Sequence, residues 1–123
     1  MPPPVKLDSL QNFLYNVNNV LNNVDDVVIL GDFNLGFIDW NRNDEELHLS
    51  PSNYDNSLGY SLIDFLSLNQ LHQFNSTQNT ECRILDLVLS NISNLTVNKP
   101  TDLLSKLDSH HPNLLISLFL SQM

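Results

Sequence analysis

The feature that most constrains the fold is the segment from Val27 to Asn34, where a run of apolar residues ends abruptly in Gly-Asp-Phe-Asn. A short apolar run bounded by turn residues is typical of a strand buried inside a sheet. This strand would carry the carboxylate of Asp32 and the carboxamide of Asn34 at its end. On an extended backbone, residues two positions apart point the same way, so the two side chains would lie side by side. The alternative is an ordinary turn after the strand, with Asn34 capping the next segment.

Two later segments add further polar groups to predicted strands. Residues 84–89 are apolar except for Asp86, and residues 114–120 form another apolar run, preceded by Ser109-His110-His111-Pro112. An unpaired carboxylate among apolar residues costs several kcal/mol. Asp86 is therefore expected to have a partner, such as the nearby Arg83, unless it lies on the solvent face of its strand.

At 123 residues the chain is one domain or part of one. Apolar residues at helical spacing indicate two amphipathic helices, at about residues 8–22 with Asp8 or Ser9 as N-cap, and at residues 57–69. Residues 35–56 lack a sustained period, and we predict a long functional loop there. Shorter elements are predicted as extended segments at 71–74 and 95–97 and a helical turn at 102–107. Together they predict an α+β (α/β) sandwich, a mixed sheet with flanking helices.

Composition restricts the possible partners. The formal net charge is −9, with only 5 Lys and Arg residues. A negative charge is the wrong sign for a protein that binds phosphate backbones on its own. The single cysteine, Cys82, excludes an internal disulfide and fits a reducing compartment. No apolar run approaches the roughly 18 residues that a membrane span needs, and no signal peptide is apparent. We expect an intracellular protein without membrane association, with the nucleus compatible. His48 and His72 are expected to be isolated surface residues.

The order Gly31-Asp32-Phe33-Asn34, then Arg83 to Leu89, then a His-Pro element resembles the C-terminal half of the endonuclease/exonuclease/phosphatase family, the DNase I-like fold. The sequence around Trp40 and the sequence of the Leu-Asp-Leu-Val-Leu strand are most similar to endonuclease domains of non-LTR retrotransposons. The resemblance implies half of a four-layer fold, Mg²⁺ (or Mn²⁺) as cofactor, DNA as substrate, and a reverse transcriptase region in the same polyprotein.

The resemblance also implies residue roles. Asp32 and Asn34 would position the attacking water and contact the phosphate or the metal, and Asp86 would orient His110, the general base. The three apolar strands are therefore expected to be adjacent in one sheet, because the three motif ends must meet at one rim. Ser109 stands where the family has a second acid at the metal, and Asp108 lies one position upstream. Since neighbouring side chains on an extended backbone face opposite ways, Asp108 does not simply replace that acid.

The family's N-terminal half supplies an Asn, a metal-binding Glu and usually a Tyr or His on the phosphate, and this chain has no counterpart of them. Three functions therefore stay open. The chain could be a Mg²⁺-dependent endonuclease domain, weakly active or inactive alone. It could be a non-enzymatic truncated remnant of the fold. It could also be a phosphoesterase of the same superfamily acting on a substrate other than nucleic acid.

Overall fold

A computed structural model describes residues 6–22 and 24–97, and the backbone of residues 115–121. The elements in chain order are α1 (Leu7–Leu21), β1 (Asp26–Asp32), β2 (Asp39–Arg42), β3 (Leu49–Ser52), α2 (Ser57–Asn69), β4 (His72–Gln73), β5 (Asp86–Ser90) and β6 (Leu115–Ser121). Both predicted helices and the three apolar strands are present, within two residues of the predicted bounds. No helix in the described ranges is long and apolar enough to cross a membrane.

All six strands belong to one sheet, in the order β2-β3-β4-β5-β1-β6. Every pairing between these strands is antiparallel. The combination of helices with one sheet confirms the α+β class, but the prediction of a mixed sheet is wrong. A helix between two strands often marks a crossover between parallel neighbours. Here α2 links β3 to β4, which are antiparallel neighbours in the sheet.

The two helices begin in different ways. Helix α2 follows Asn56, whose side-chain oxygen accepts a hydrogen bond from the Gly59 N–H at 2.8 Å, as an N-cap does. Helix α1 follows Lys6, which makes no side-chain cap, and Asp8 lies inside the first turn. The predicted cap at Asp8 or Ser9 is therefore wrong. Asp8 still has a reason to be there, because a negative charge in the first turn interacts favourably with the helix dipole.

The main core lies between the helices and one face of the sheet. Leu10, Leu14 and Val17 of α1 share it with Leu62, Phe65 and Leu66 of α2. The sheet contributes Val27 and Ile29 from β1 and Leu87 and Leu89 from β5, which alternate with residues that face the other way. Both helices thus cover the same face, as the amphipathic patterns predict.

The segment from 35 to 56 is a hairpin rather than a structureless loop. Strands β2 and β3 pair from Asp39↔Ser52 to Arg42↔Leu49. All of their residues except Leu49 are exposed or only partly buried, so no alternation of apolar and polar residues marks them in the sequence. Residues 95–97, predicted to be extended, do not pair into the sheet. The predicted helical turn at 102–107 lies outside the described residues.

Candidate active site

The structure brings Asp32 and Asp86 together at one end of the sheet. Strand β1 pairs with β5 on one side and with β6 on the other, so the three apolar strands are adjacent, as predicted. The register places Asp32, the last residue of β1, directly opposite Asp86, the first residue of β5. On the other side Asp32 lies opposite Leu115, the first residue of β6. The ends of all three strands thus meet at one rim.

Facing residues in antiparallel strands form either hydrogen-bonded or non-hydrogen-bonded pairs, and the Cα atoms are closer in the second kind. Asp32 and Asp86 form a pair of the second kind. The next pair along is hydrogen-bonded, since the Phe33 N–H donates to the Leu85 carbonyl at 3.0 Å. Because the two kinds alternate, Asp32 and Asp86 form a non-hydrogen-bonded pair, whose Cα atoms approach to about 4.5 Å. Both side chains lie on the face away from the helices. Like charges directly opposite each other destabilise a sheet, so a proton or a cation between the two carboxylates would stabilise this pair.

The backbone turns sharply immediately after Asp32. Asn34 has a φ of 52°, and its N–H donates to Oδ1 of Asp32 at 2.9 Å. The carboxylate therefore folds over the turn that follows it, a geometry that asparagine tolerates better than most residues. The extended geometry that would align the two side chains ends at Asn34. The backbone therefore forms a turn after the strand, which was the alternative expected from the sequence. A turn at this point does not decide the chemical role of Asp32.

Phe33 anchors this turn in the core. Its ring is fully buried and meets the ring of Phe13 on α1 edge to face, with centroids 6.2 Å apart. Asp32 itself is 9% exposed, so its carboxylate lies in a largely desolvated position. The motif therefore combines an apolar anchor on the helix side with polar groups on the opposite side.

Three predicted site residues, Asp108, Ser109 and His110, lie outside the described residues. Among the described residues, no group of three or more His, Cys, Asp or Glu side chains is arranged to hold a metal ion. The part of the site that the structure describes thus consists of Asp32, Asn34 and Asp86. Carboxylate and amide oxygens are hard donors, which match Mg²⁺ in kind but do not complete its six-coordinate shell.

Two buried amides next to the site were not predicted from the sequence. Gln73 and Asn75 are almost completely buried, and the Asn75 side-chain N–H donates to the Asp86 carbonyl at 2.7 Å. The only signal in the sequence is a pair of amides, two residues apart, beside the apolar residues Leu71 and Phe74. Such a pair also occurs in exposed loops, so the pattern alone does not identify it.

The two histidines predicted to be isolated are in contact. The rings of His48 and His72 stack with centroids 3.9 Å apart, and His48 lies 2.5 Å from a carboxylate oxygen of Glu46. Burial lowers the pKa of His72, the nearby His48 lowers it further, and Glu46 opposes the effect. This contact joins the hairpin to β4. It lies at the opposite end of β5 from the acid pair, because His72 is opposite Ser90.

A family model described as endonuclease-reverse transcriptase matches residues 2–115, and therefore includes all three motifs. The chain belongs to this family. The resemblance to endonuclease/exonuclease/phosphatase-like domains of retroelements is thereby confirmed. Among curated proteins and solved structures, none matches the chain. The acid pair of this endonuclease-reverse transcriptase domain, Asp32 and Asp86, lies within the matched residues.

Proposed function

We propose that this chain carries part of the active site of a Mg²⁺-dependent endonuclease that nicks DNA for a retroelement. The observation that supports this most strongly is the cross-strand pair of Asp32 and Asp86 in a chain of the endonuclease-reverse transcriptase family. Two carboxylates held opposite each other on a partly buried face would destabilise a site with a purely structural role. They suit a site that receives a positive charge.

Phosphodiester hydrolysis needs a base, an oriented water and stabilisation of the charge that develops on phosphate oxygens. In our proposal His110 takes a proton from the water as its oxygen bonds to phosphorus and a phosphorus–oxygen bond to the sugar breaks. Asp86 keeps the imidazole in the correct tautomer and stabilises its protonated form. His110 lies five residues before Leu115, and five extended residues span up to about 17 Å, so the sequence distance allows it to reach the rim.

Asp32 and Asn34 would hold a divalent ion or the phosphate, and Asp108 or Ser109 would complete this side of the site. When bound, Mg²⁺ would supply charge stabilisation for the phosphate oxygens. Ser109 lacks the charge of an acid, which should weaken ion binding. Mn²⁺ would suit the same oxygen donors.

We further propose that the sheet is half of a DNase I-like sandwich and that the remaining ligands come from a region outside this chain. The family description supports a larger assembly, since it joins an endonuclease to a reverse transcriptase. The net charge of −9 points the same way, because most of the attraction to DNA would have to come from another region.

A nicking assay on supercoiled plasmid in millimolar Mg²⁺ tests this proposal. We expect negligible nicking by the 123-residue chain, partial activity when the family's N-terminal half is supplied, and more activity with Ser109→Asp added. In that complemented protein, Asp32→Ala and His110→Ala should abolish nicking, whereas Asp44→Ala in the exposed hairpin should not. Robust nicking by the isolated chain would contradict the proposed need for further ligands. Complemented nicking that survives both site variants would refute the site.

The second candidate is a remnant of the fold without catalytic activity. Ser109 in place of an acid favours it, as does the lack of a three-ligand group among the described residues. The same assay separates the two candidates, because a remnant would stay inactive after complementation and after Ser109→Asp.

A further inference from the structure

The edge of β5 next to the acid pair is only partly covered by its neighbour. Strand β4 has two residues, and it pairs with β5 at His72↔Ser90 and Gln73↔Leu89. One more backbone bond follows, from the Phe74 N–H to the Val88 carbonyl at 2.8 Å. The chain then leaves the sheet. The Val88 N–H and the Asp86 carbonyl lie on this edge, and buried backbone groups of this kind need partners.

The side chains of Gln73 and Asn75 provide those partners. Gln73 Oε1 accepts from the Val88 N–H at 3.3 Å, and Asn75 Nδ2 donates to the Asp86 carbonyl at 2.7 Å. The two residues are also bonded to each other, because Gln73 Nε2 donates to the Asn75 carbonyl at 2.9 Å and the Asn75 N–H donates back to Gln73 Oε1. The two amides therefore continue the ladder beyond the end of β4.

Asn75 is held in turn by the loop that follows. Its Oδ1 accepts from the Thr77 N–H at 3.1 Å, so both ends of the amide are used. With Nδ2 bonded to the strand and Oδ1 bonded to the loop, the amide has one orientation that satisfies every group around it. Such a fully satisfied buried network is rigid and specifies one local geometry.

We propose that Gln73 and Asn75 are positioning residues that hold Asp86 opposite Asp32. Asp86 is the first residue of β5. Before it, the Leu85 carbonyl is held on the β1 side by the Phe33 N–H, whereas on the β4 side the Asp86 carbonyl is held by Asn75. The Asn75 bond fixes the Asp86 carbonyl, and thereby the direction in which the carboxylate leaves the strand. Displacements of about 1 Å at a catalytic group reduce rates by about a hundredfold. The consequence for catalysis rests on the proposed function, whereas the placement of Asp86 does not.

The chain offers a control with the same kinds of hydrogen bond at the other end of the same strand pair, at an exposed asparagine. Asn91 Nδ2 donates to the Asp25 carbonyl at 2.6 Å, and its Oδ1 accepts from the Val27 N–H at 3.0 Å. Asn75→Asp and Asn91→Asp each replace a donor to a carbonyl by an oxygen and keep the acceptor. Only the first lies beside Asp86.

The test compares NMR spectra of the metal-free 123-residue chain with those of the variants. In Asn75→Asp we expect the resonance of the Asp86 carboxyl carbon to shift and amide exchange at Leu87 and Val88 to accelerate about tenfold or more, as the loss of a buried hydrogen bond implies. Asn75→Ser, whose hydroxyl is too short to reach the Asp86 carbonyl, should reproduce the shift without adding a charge. Asn91→Asp should leave the Asp86 resonance unchanged.

An unchanged Asp86 resonance in both Asn75 variants, or an equal shift in Asn91→Asp, would overturn the inference. Unfolding of both Asn75 variants would overturn it too, because the amides would then stabilise the whole fold rather than place one carboxylate. Adding Mn²⁺ to the wild-type chain tests the proposed function separately. No broadening at Asp32 and Asp86 would count against the proposed ion site and leave the result for Asn75 intact.

Discussion

Replacement of Phe33 tests how the core holds the acid-bearing turn. Phe33 stands between Asp32 and Asn34 in the sequence, and its ring is fully buried. The ring packs edge to face on Phe13, with the two ring planes at 74°. Truncating a buried phenylalanine to alanine costs about 3–5 kcal/mol, through lost transfer energy and the cavity that remains. A domain of this size has a total stability of about 5–15 kcal/mol. Phe33→Ala should therefore remove a large part of the free energy of unfolding.

A milder series separates the aromatic contact from the packing volume. Phe33→Leu keeps most of the volume and should cost about 1–2 kcal/mol, part of it from the lost ring–ring contact. A double-mutant cycle of Phe33→Leu with Phe13→Leu, measured by urea unfolding, should give a coupling energy of about 0.5–1.5 kcal/mol. Phe37, which is 37% exposed, is the control. Phe37→Leu should change the free energy of unfolding by no more than about 0.5 kcal/mol.

Two results would refute this reasoning. One is a Phe33→Ala variant that loses no more stability than Phe37→Ala. The other is a coupling energy near zero between Phe33 and Phe13, which would mean that the two rings do not stabilise each other in solution. Either result would remove the support for the core as the element that fixes the turn at Asp32.

Three further predictions concern the hairpin contact, a helix start and the turn. The folded state lowers the pKa of His72 below its ordinary value of 6.5, so the free energy of unfolding should fall as the pH drops from about 7 to about 5. In urea unfolding measured across this pH range, His72→Gln should reduce the pH dependence. Gly59→Ala should destabilise by about 1–3 kcal/mol in thermal unfolding, although alanine usually favours a helix, because the new Cβ would lie 2.2 Å from the Tyr54 carbonyl oxygen. At Asn34, with φ at 52°, glycine should be tolerated in chemical unfolding, whereas alanine should cost about 1 kcal/mol. A pH-independent stability, a neutral Gly59→Ala or a neutral Asn34→Ala would each contradict its prediction.

The parts of the fold that were predictable are those whose burial leaves a periodic pattern. Strands β1, β5 and β6 are apolar runs, and α1 and α2 repeat apolar residues at helical spacing. The adjacency of the three strands followed from the requirement that three motif ends meet at one rim, and the register of Asp32 with Asp86 confirms it. The apolar patterns that burial requires thus predicted these helices and strands, and with them the positions of Asp32 and Asp86.

The parts that were missed lack such a pattern. The hairpin of β2 and β3 is largely exposed, so its residues show no alternation. The stacking of His48 on His72 depends on β3 pairing with β4 at a single register position, Leu49↔Gln73. Gln73 and Asn75 bond to β5 where β4 ends, and the length of β4 is set by tertiary structure rather than by local propensity.

The electrostatics of the acid pair bear directly on the proposal that this chain carries only part of an active site. Two unit charges about 5 Å apart repel by about 3 kcal/mol at an effective dielectric constant of about 20. A DNA phosphate that approached Asp32 and Asp86 would add a third negative charge. The whole chain has 5 Lys and Arg residues against 14 acids, so it has little positive charge to offset this repulsion. Under the proposed function, a divalent ion or a protonated histidine would therefore lie between carboxylate and phosphate, and most of the attraction that brings DNA to the site would come from regions outside this chain.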